Sequence, residues 1–310
     1  MRSRRKEWYS LNATPRIVVI GGAGMLGHKM FQVLRERFPG AVCTMLEDPK
    51  APPLQNVTLL QGDDVAAGVD VMDTASLSRL LASRRPDYVV NCVGVIKQRA
   101  EAQLPIPSIA INSLLPHQLA AMAATWGGKV VHFSTDCVFS GKRGRYTEDD
   151  PSDAEDLYGR SKYLGEVAAE NALTLRSSII GRELMNRKSL LEWFLSQNHR
   201  TVKGFRRAVY SGVTTNEMAN VVSGLITSAS PLSGLYHVVS EPITKHDLLR
   251  LLRDAYALDI EIVPDDADAT DRSLIGDRFR EATGYVAPPW PELTRNLADD
   301  PTPYGDWVSE

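Results

Sequence analysis

A short apolar run, a cluster of glycines and an amphipathic segment follow one another near the start of the chain. Residues 16–20 read Arg-Ile-Val-Val-Ile, a β-branched run between Pro15 and Gly21 that is typical of a buried parallel strand. The glycine-rich residues 21–27 follow at once, and apolar residues then recur at helical spacing up to Phe38. A strand that passes through a glycine turn into a helix is the arrangement of a dinucleotide-binding unit, and it predicts an α/β fold.

The glycines of this turn have separate roles in such a unit. Gly21 permits the tight turn, Gly24 lets the backbone approach a pyrophosphate, and Gly27 allows close packing of helix on strand. Met25 and Leu26 begin the helix, whose N-terminus would face the phosphates with free N–H groups and a positive dipole end. The sequence therefore predicts NAD(H) or NADP(H) as cofactor.

The choice between the two cofactors depends on Glu47, which lies twenty residues beyond Gly27. An acidic side chain at about this distance would bind the adenosine ribose hydroxyls and repel a 2′-phosphate, which favours NAD. A solvated acid in a loop is an equally good interpretation, so the cofactor phosphate stays open.

Strand-like and helix-like segments alternate through the first half of the chain. Strands are predicted at 41–46, 57–60, 87–94, 129–133 and 173–176, and helices at 106–126 and 156–171. This alternation predicts a doubly wound parallel sheet (a Rossmann fold), with ligands bound beyond the carboxyl ends of the strands. We expect an N-terminal extension at 1–14, a Rossmann domain at 15–181, and a smaller C-terminal α/β substrate lobe at 182–310 that is interleaved with the core.

Tyr158 and Lys162 are four residues apart in a predicted helix and would project from the same face. An ammonium beside the phenol would lower the tyrosine pKa from about 10 and make it a proton donor or acceptor near neutral pH. Such a pair also arises by chance on surface helices. Its weight comes from Ser134, Thr135 and Asp136, which follow the predicted strand at 129–133.

Composition excludes several other classes of protein. A formal net charge of −3 gives no reason to expect a nucleic-acid partner. Cys43, Cys92 and Cys137 are too widely spaced to suggest a zinc site or a disulfide framework, and a reducing cytoplasm is the simplest setting. No apolar run reaches membrane-spanning length, so no membrane partner is expected, and no cluster of acids or histidines predicts a metal.

With these residues identified, the chain resembles the extended short-chain dehydrogenase/reductases. The Gly-x-x-Gly-x-x-Gly turn, Thr135, Tyr158 and Lys162 carry the match. Ser-Thr-Asp-Cys-Val-Phe-Ser-Gly at 134–141, Tyr-Thr-Glu at 146–148 and Tyr-Gly-Arg-Ser-Lys at 158–162 are most similar to the dTDP-4-dehydrorhamnose reductase branch. The resemblance spans about residues 16–290.

The resemblance implies reduction of a keto group on a nucleotide-linked 6-deoxy sugar. Tyr158 would donate the proton, Lys162 would lower its pKa and bind the nicotinamide ribose, and Thr135 would position the carbonyl. The resemblance also implies a homodimer that pairs through the helices at 106–126 and 156–171. The remaining cofactor contacts that it implies are Asp70 and Val71 at the adenine and Asn91, Cys92, Val93 and Gly94 along the cleft.

Five residues are candidates for substrate binding, and each has a plainer interpretation. Lys97 stands in a basic loop where related rhamnose reductases have small residues and an acid, which indicates a charged or differently substituted sugar. Asp136 could act in the site or cap a turn, and Arg182 could bind diphosphate oxygens or be structural. Trp193 could stack on base or sugar, although a core-facing position on its helix is the favoured interpretation. Cys137 is the fifth candidate.

Cys137 raises two further alternatives. Related 4,6-dehydratases carry an Asp-Glu pair after the threonine, so the Asp136-Cys137 pair counts against dehydration. Epimerase–reductases similar to GDP-fucose synthase place a cysteine two positions after the catalytic hydroxyl, as acid/base. Their second group is a histidine, whereas residues 186–190 contain Lys188 but no histidine. Packing is the favoured role for Cys137, and epimerisation remains the alternative.

A non-catalytic member of the fold, used as a binding or regulatory subunit, is the other alternative. Such proteins usually lose the tyrosine or the lysine. Retention of Thr135, Tyr158 and Lys162 therefore favours an enzyme.

Overall fold

The structure, a computed structural model, describes residues 14–96, 103–185 and 187–307. The predicted substrate residue Lys97 lies outside them. The strands are β1 (Ile17–Ile20), β2 (Val42–Thr44), β3 (Val65–Ala66), β4 (Tyr88–Asn91), β5 (Lys129–Ser134), β6 (Ala172–Arg176), β7 (Ile179–Ile180), β8 (Thr201–Phe205), β9 (Val209–Tyr210), β10 (Val213–Thr214), β11 (Gly234–His237), β12 (Ile243–Thr244) and β13 (Glu261–Asp265). The helices are α1 (Met25–Arg37), α2 (Thr74–Arg84), α3 (Pro105–Pro107), α4 (Leu115–Ala124), α5 (Leu157–Leu164), α6 (Leu190–Leu195), α7 (Thr215–Thr227), α8 (Lys245–Ala255), α9 (Asp277–Thr283), α10 (Trp290–Ala298) and α11 (Tyr304–Trp307).

The main sheet has the strand order β11-β6-β5-β4-β1-β2-β3, and its strands are parallel. Ile17 and Val19 face one core cluster, while Val18 and Ile20 face another. Helices α1 and α7 pack together on the first face, and α2 and α4 on the second. A strand whose residues are buried on both faces accounts for the continuous β-branched run in the sequence. The predicted doubly wound α/β sheet is confirmed.

The C-terminal residues contribute both to this sheet and to a separate cluster. Helices α8 and α10 pack around Leu248, Leu252 and Leu293, beside the parallel pair β8–β13 and the antiparallel pair β9–β12. Strand β11 and helix α7, however, belong to the main sheet and its first face. The two parts of the chain are therefore interleaved in space.

Two predicted elements differ from the structure. Residues 57–60 contain a 3₁₀ turn (Thr58–Leu60), because Leu59 and Leu60 both face the core cluster of α1, whereas consecutive strand residues would face opposite sides. Helix α5 ends at Leu164 rather than near residue 171. Gly165 is the C-cap residue, and a Cβ there would lie 1.9 Å from the Asn112 carbonyl oxygen, so a glycine is needed where the two backbones touch.

Candidate active site

The glycine turn has the geometry that a dinucleotide site needs. Gly21 has a φ of +89°, and a Cβ on Gly27 would lie 1.9 Å from the Gly21 carbonyl oxygen, so α1 starts directly against the turn. Gly24 is the N-cap of α1 and brings no side chain of its own. No side chain caps the helix, so its first amides, from Met25 and Leu26, are left for a ligand such as a phosphate.

The loop after β4 lies beside this turn. Asn91 accepts a hydrogen bond from the Val93 amide at 3.2 Å and donates to Nδ1 of His132 at 3.1 Å. A Cβ on Gly21 would lie 2.6 Å from the Val93 side chain, and one on Gly94 would lie 4.0 Å from Nζ of Lys162. The predicted cleft residues from Asn91 to Gly94, Cys92 among them, therefore connect the glycine turn to Lys162.

Thr135, Asp136, Cys137 and Tyr158 meet beyond the carboxyl end of β5. Thr135 is the N-cap of a 3₁₀ turn (Asp136–Val138), accepts from the Cys137 amide at 3.1 Å and donates to the Asp136 carboxylate at 3.0 Å. The Thr135 side chain also lies beside the phenol of Tyr158, whose pKa it lowers. Burial raises the pKa of Asp136, while Arg272 and hydrogen bonds from Thr135 and Cys137 lower it. The turn-capping role in this stretch belongs to Thr135, so Asp136 is not needed as a cap.

The pKa of Tyr158 differs from the expectation. Burial raises it above its usual value, the neighbouring Cys137 raises it further, and Thr135 only partly opposes this. Lys162 is not among the main influences on this pKa, and its ammonium donates to the Phe133 carbonyl oxygen at 2.6 Å. Tyr158 is therefore a protonated phenol at neutral pH.

Lys162 is 6% exposed. Burial lowers its pKa to about 8, with Glu166 acting in the opposite direction. The side chain is consequently still protonated at neutral pH, and it loses its charge as the pH rises through about 8.

Two supporting residues escaped the sequence analysis. Asn112 accepts from the Val95 amide at 2.8 Å and donates to the Val95 carbonyl at 3.0 Å and to Ser161 at 3.1 Å, so it joins the cleft loop to α5. Glu166 accepts from Ser134 at 2.6 Å. A buried amide within an apolar helical segment was the available signal for Asn112, but its partners are far away in sequence.

Arg176 is held by Glu166 in a bidentate pair with distances of 2.9 and 2.6 Å, and is 1% exposed. Its guanidinium is thus committed to this buried pair with Glu166.

The predicted substrate residues on the lobe lie in contrasting surroundings. Arg182 donates to Glu192 at 2.6 Å and lies over the Tyr304 ring at 4.6 Å. Trp193 is 40% exposed, and its neighbour Phe194 takes the core position. The core-facing interpretation of Trp193 is therefore wrong, while stacking on a ligand stays a prediction.

The predicted adenosine contacts follow β2 and β3 in the chain. Glu47 is half-buried, Asp70 is exposed and accepts from the Met72 amide at 2.8 Å, and Val71 is half-buried. Their roles stay predictions. In the described part of the chain no group of His, Cys, Asp or Glu could hold a metal ion, and none of its helices is long and apolar enough to cross a membrane.

Comparison with known proteins places this chain in a family. Residues 15–288 match the family model described as the RmlD substrate binding domain.

The chain belongs to this family. The resemblance to the dTDP-4-dehydrorhamnose reductase branch is thereby confirmed at the level of family. This chain is 32% identical over 161 residues to a dTDP-4-dehydrorhamnose reductase of Streptomyces griseus. The matched residues cover 51% of this chain and 46% of that protein. This chain is also 28% identical over 275 residues to the probable low-salt glycan biosynthesis reductase Agl14 of Haloferax volcanii, covering 85% of each.

A solved structure shares the fold of this RmlD family member. The dTDP-4-dehydrorhamnose reductase of Bacillus anthracis, in complex with NADP, superposes with a TM-score of 0.76 at 18% identity, over 92% of this chain and 99% of that one. A relative with a different kind of name is methionine adenosyltransferase 2 subunit beta of Danio rerio, 25% identical over 258 residues, covering 78% of this chain and 74% of that protein.

Proposed function

We propose that the protein is an NAD(P)H-dependent reductase that acts on a keto group of a nucleotide-linked 6-deoxy sugar. The observation that carries the proposal is the meeting of Thr135, Tyr158 and Lys162 beyond β5, next to the cleft loop and the glycine turn. The names of the reductases of Streptomyces griseus and Haloferax volcanii support the substrate class.

The residues around the cleft fit a dinucleotide. Gly21 and Gly27 close the turn so tightly that a side chain would fill it, while Gly24 leaves the amides of Met25 and Leu26 uncovered. NAD(P)H, when bound, supplies the hydride. In our proposal the first amides of α1 bind the pyrophosphate and the loop from Asn91 to Gly94 lines the nicotinamide half.

The side chains beyond β5 divide the remaining work. The raised pKa of Tyr158 keeps the phenol protonated, so it can donate to the oxygen of the reduced carbonyl. Thr135, which lies beside the phenol, would orient the same oxygen. Lys162 carries a positive charge at neutral pH, and we propose that it binds the nicotinamide ribose, as the family resemblance implies.

Substrate contacts follow from the same arrangement. Asp136 and Cys137 border Tyr158, so we propose that they meet the sugar. Trp193, exposed on α6, is proposed to stack on the base or sugar. Arg182 would reach a diphosphate only if it exchanged its pairing with Glu192, and Lys97 remains a candidate from the sequence alone.

The test is oxidation of NADH and NADPH, followed at 340 nm, with dTDP-, UDP- and GDP-linked 4-keto-6-deoxy sugars in deuterated water, with product analysis by NMR. Turnover with either cofactor supports the proposal, and the preferred cofactor decides what Glu47 does. Absence of turnover with every sugar, despite cofactor binding, would refute the reductase assignment for this substrate class.

The same experiment tests epimerisation through Cys137. Enzyme-dependent deuterium at a ring carbon next to the ketone, absent from a Cys137→Ser variant, would make the thiol an acid/base. Deuterium only from the substrate's own exchange would leave Cys137 as a packing residue.

A regulatory subunit is the second candidate, because the chain is similar to methionine adenosyltransferase 2 subunit beta over most of its length. Binding of NAD(P)H without turnover on any sugar of the panel would favour this function. The retained Thr135, Tyr158 and Lys162 favour the reductase.

We also propose that the protein is a homodimer in a reducing cytoplasm. Ile106 and Ile109, in the helical segment before α4, are 77% and 49% exposed, and Leu164 at the end of α5 is 61% exposed. The two segments pack against each other. Pairing of two copies through these segments would remove the apolar side chains from water. Cys43, Cys92 and Cys137 are free thiols in the structure.

A further inference from the structure

The C-terminal segment, residues 299–307, lies against the dinucleotide helix α1. Lys29 of α1 and Asp300 form an ion pair of 2.7 Å in which the side chains are 3% and 4% exposed. Asn216 of α7 donates to the same carboxylate at 2.6 Å, and Lys29 also donates to Thr302 at 2.8 Å. Because unpaired charges are costly to bury, these contacts hold the segment in one position on α1.

His28, the residue before Lys29, joins this segment to the glycine turn. Its side chain is fully buried, with Nδ1 2.9 Å from the Gly24 carbonyl oxygen and Nε2 2.8 Å from the Tyr304 hydroxyl. A carbonyl oxygen only accepts, so Nδ1 carries the proton. Burial lowers the pKa of His28 to about 4, so Nε2 is unprotonated at neutral pH and accepts from Tyr304.

The Gly24 carbonyl is the other end of the peptide unit that carries the Met25 amide. It accepts from the His28 backbone at 3.0 Å as well as from the imidazole, so both of its lone pairs are used. In a planar trans peptide the N–H points opposite to the C=O. Fixing the Gly24 carbonyl toward α1 therefore fixes the Met25 N–H outward, on the side proposed for the pyrophosphate.

We propose that His28 is a positioning residue for the cofactor pyrophosphate, and that Tyr304 holds it in place, so that the docked C-terminal segment sets the affinity of the glycine turn for a dinucleotide. This inference rests on the proposed use of NAD(P)H. Tyr304 also lies under the guanidinium of Arg182, which couples the same contact to the lobe.

The test is the dissociation constant for NADH and NADPH, measured by fluorescence titration, in the full chain and in variants. Tyr304→Phe keeps the ring against His28 and Arg182 and removes only the hydroxyl, and we expect about three- to tenfold weaker binding. His28→Leu, which loses both hydrogen bonds, should bind about tenfold more weakly or worse. His28→Asn, whose amide nitrogen can take the place of Nδ1, should recover much of that loss.

Tyr285→Phe is the matched control, because it removes a phenol hydroxyl that donates to Glu217 at 2.8 Å rather than to His28. It should bind cofactor as the wild type does. With turnover, the KM for cofactor should rise in Tyr304→Phe while kcat at saturating cofactor stays within about twofold, a split that general destabilisation does not produce.

Each outcome decides a separate claim. A wild-type protein that binds neither cofactor refutes the proposed function itself. If the wild type binds cofactor and Tyr304→Phe binds it with the same affinity, the inference is overturned. It is also overturned if Tyr285→Phe loses as much cofactor affinity as Tyr304→Phe. Weaker binding in Tyr304→Phe at an unchanged Tm supports it.

Discussion

The ionisation of Tyr158 and Lys162, which the sequence predicts on one face of a helix, is central to the proposed reaction. Tyr158 and Lys162 lie where helical spacing put them, but the expected effect of one on the other is absent. The Lys162 ammonium is engaged by the Phe133 carbonyl, and burial raises the tyrosine pKa. A phenol that stays protonated suits a reaction in which it donates a proton.

Replacing Tyr158 by Phe tests that donation. We expect at least about a 10²-fold loss of turnover with cofactor binding retained, because general acid catalysis contributes about that much. Tyr163→Phe, on the same helix and 43% exposed, is the matched control and should be fully active. Near wild-type turnover in Tyr158→Phe would refute the proposed proton donation by Tyr158.

The pH dependence of turnover reports Lys162. Its pKa is lowered to about 8, so the charged form dominates below that pH and disappears as the pH rises through it. If the charge is used, kcat should fall about tenfold per pH unit well above pH 8. Stopped assays from pH 6 to 10, with circular dichroism to show that the fold persists, measure the alkaline limb. Lys162→Arg should move that limb upward because arginine keeps its charge, and an unmoved limb would assign it to another group.

At the scale of elements, the close contact of α1 with β1 shapes the glycine turn that we propose holds the cofactor. The helix starts so close to the strand that the Gly21 carbonyl oxygen lies where the Cβ of any other residue at position 27 would be. The short α5 shows the same principle, because Gly165 ends the helix where it meets the Asn112 backbone.

Gly27→Ala tests the contact between α1 and β1. The added methyl would lie 1.9 Å from the Gly21 oxygen, and we expect a loss of about 1–3 kcal/mol in the free energy of unfolding together with weak cofactor binding. The control is Gly224→Ala in α7, where a Cβ meets nothing within 4 Å. There the free energy of unfolding should rise by about 0.5–1 kcal/mol, since alanine favours the helix over glycine. Urea unfolding of both variants provides the comparison, and equal effects would contradict the close approach.

At the scale of the whole molecule, late parts of the chain complete early ones. Strand β11 closes one edge of the main sheet, α7 covers α1, and Asp300 pairs with Lys29 in the interior. In the proposed homodimer, a second copy of the chain would cover the apolar side chains that are exposed before α4 and on α5.

Ile106→Asp tests the proposed homodimer. Ile106 is 77% exposed, so a carboxylate there costs a monomer little, but two carboxylates desolvated in an interface would repel. Sedimentation velocity at micromolar concentration should show a dimer for the wild type and a monomer for the variant. Val286→Asp, at a site 73% exposed outside the proposed interface, should stay dimeric. A monomeric wild type would refute the proposal.

The sequence determined those features that depend on local pattern. The β-branched run and the glycine spacing specify β1, the turn and α1, and the helical spacing places Tyr158 and Lys162 on one face, because each depends on neighbours a few residues apart. The position of Thr135 just beyond β5 likewise follows from the end of the apolar run predicted as a strand at 129–133. These parts of the fold and of the candidate site were predictable.

Only the tertiary structure decided what depends on distant partners. The ionisation of Tyr158 follows from burial, and the role of Asn112 from contacts with Val95 and Ser161. The link from Tyr304 through His28 to Gly24 joins residues 276 positions apart at 2.8 Å. Nothing in the local pattern of the C-terminal segment indicates α1 as its partner, because burial and pairing are set by the packing of the whole chain.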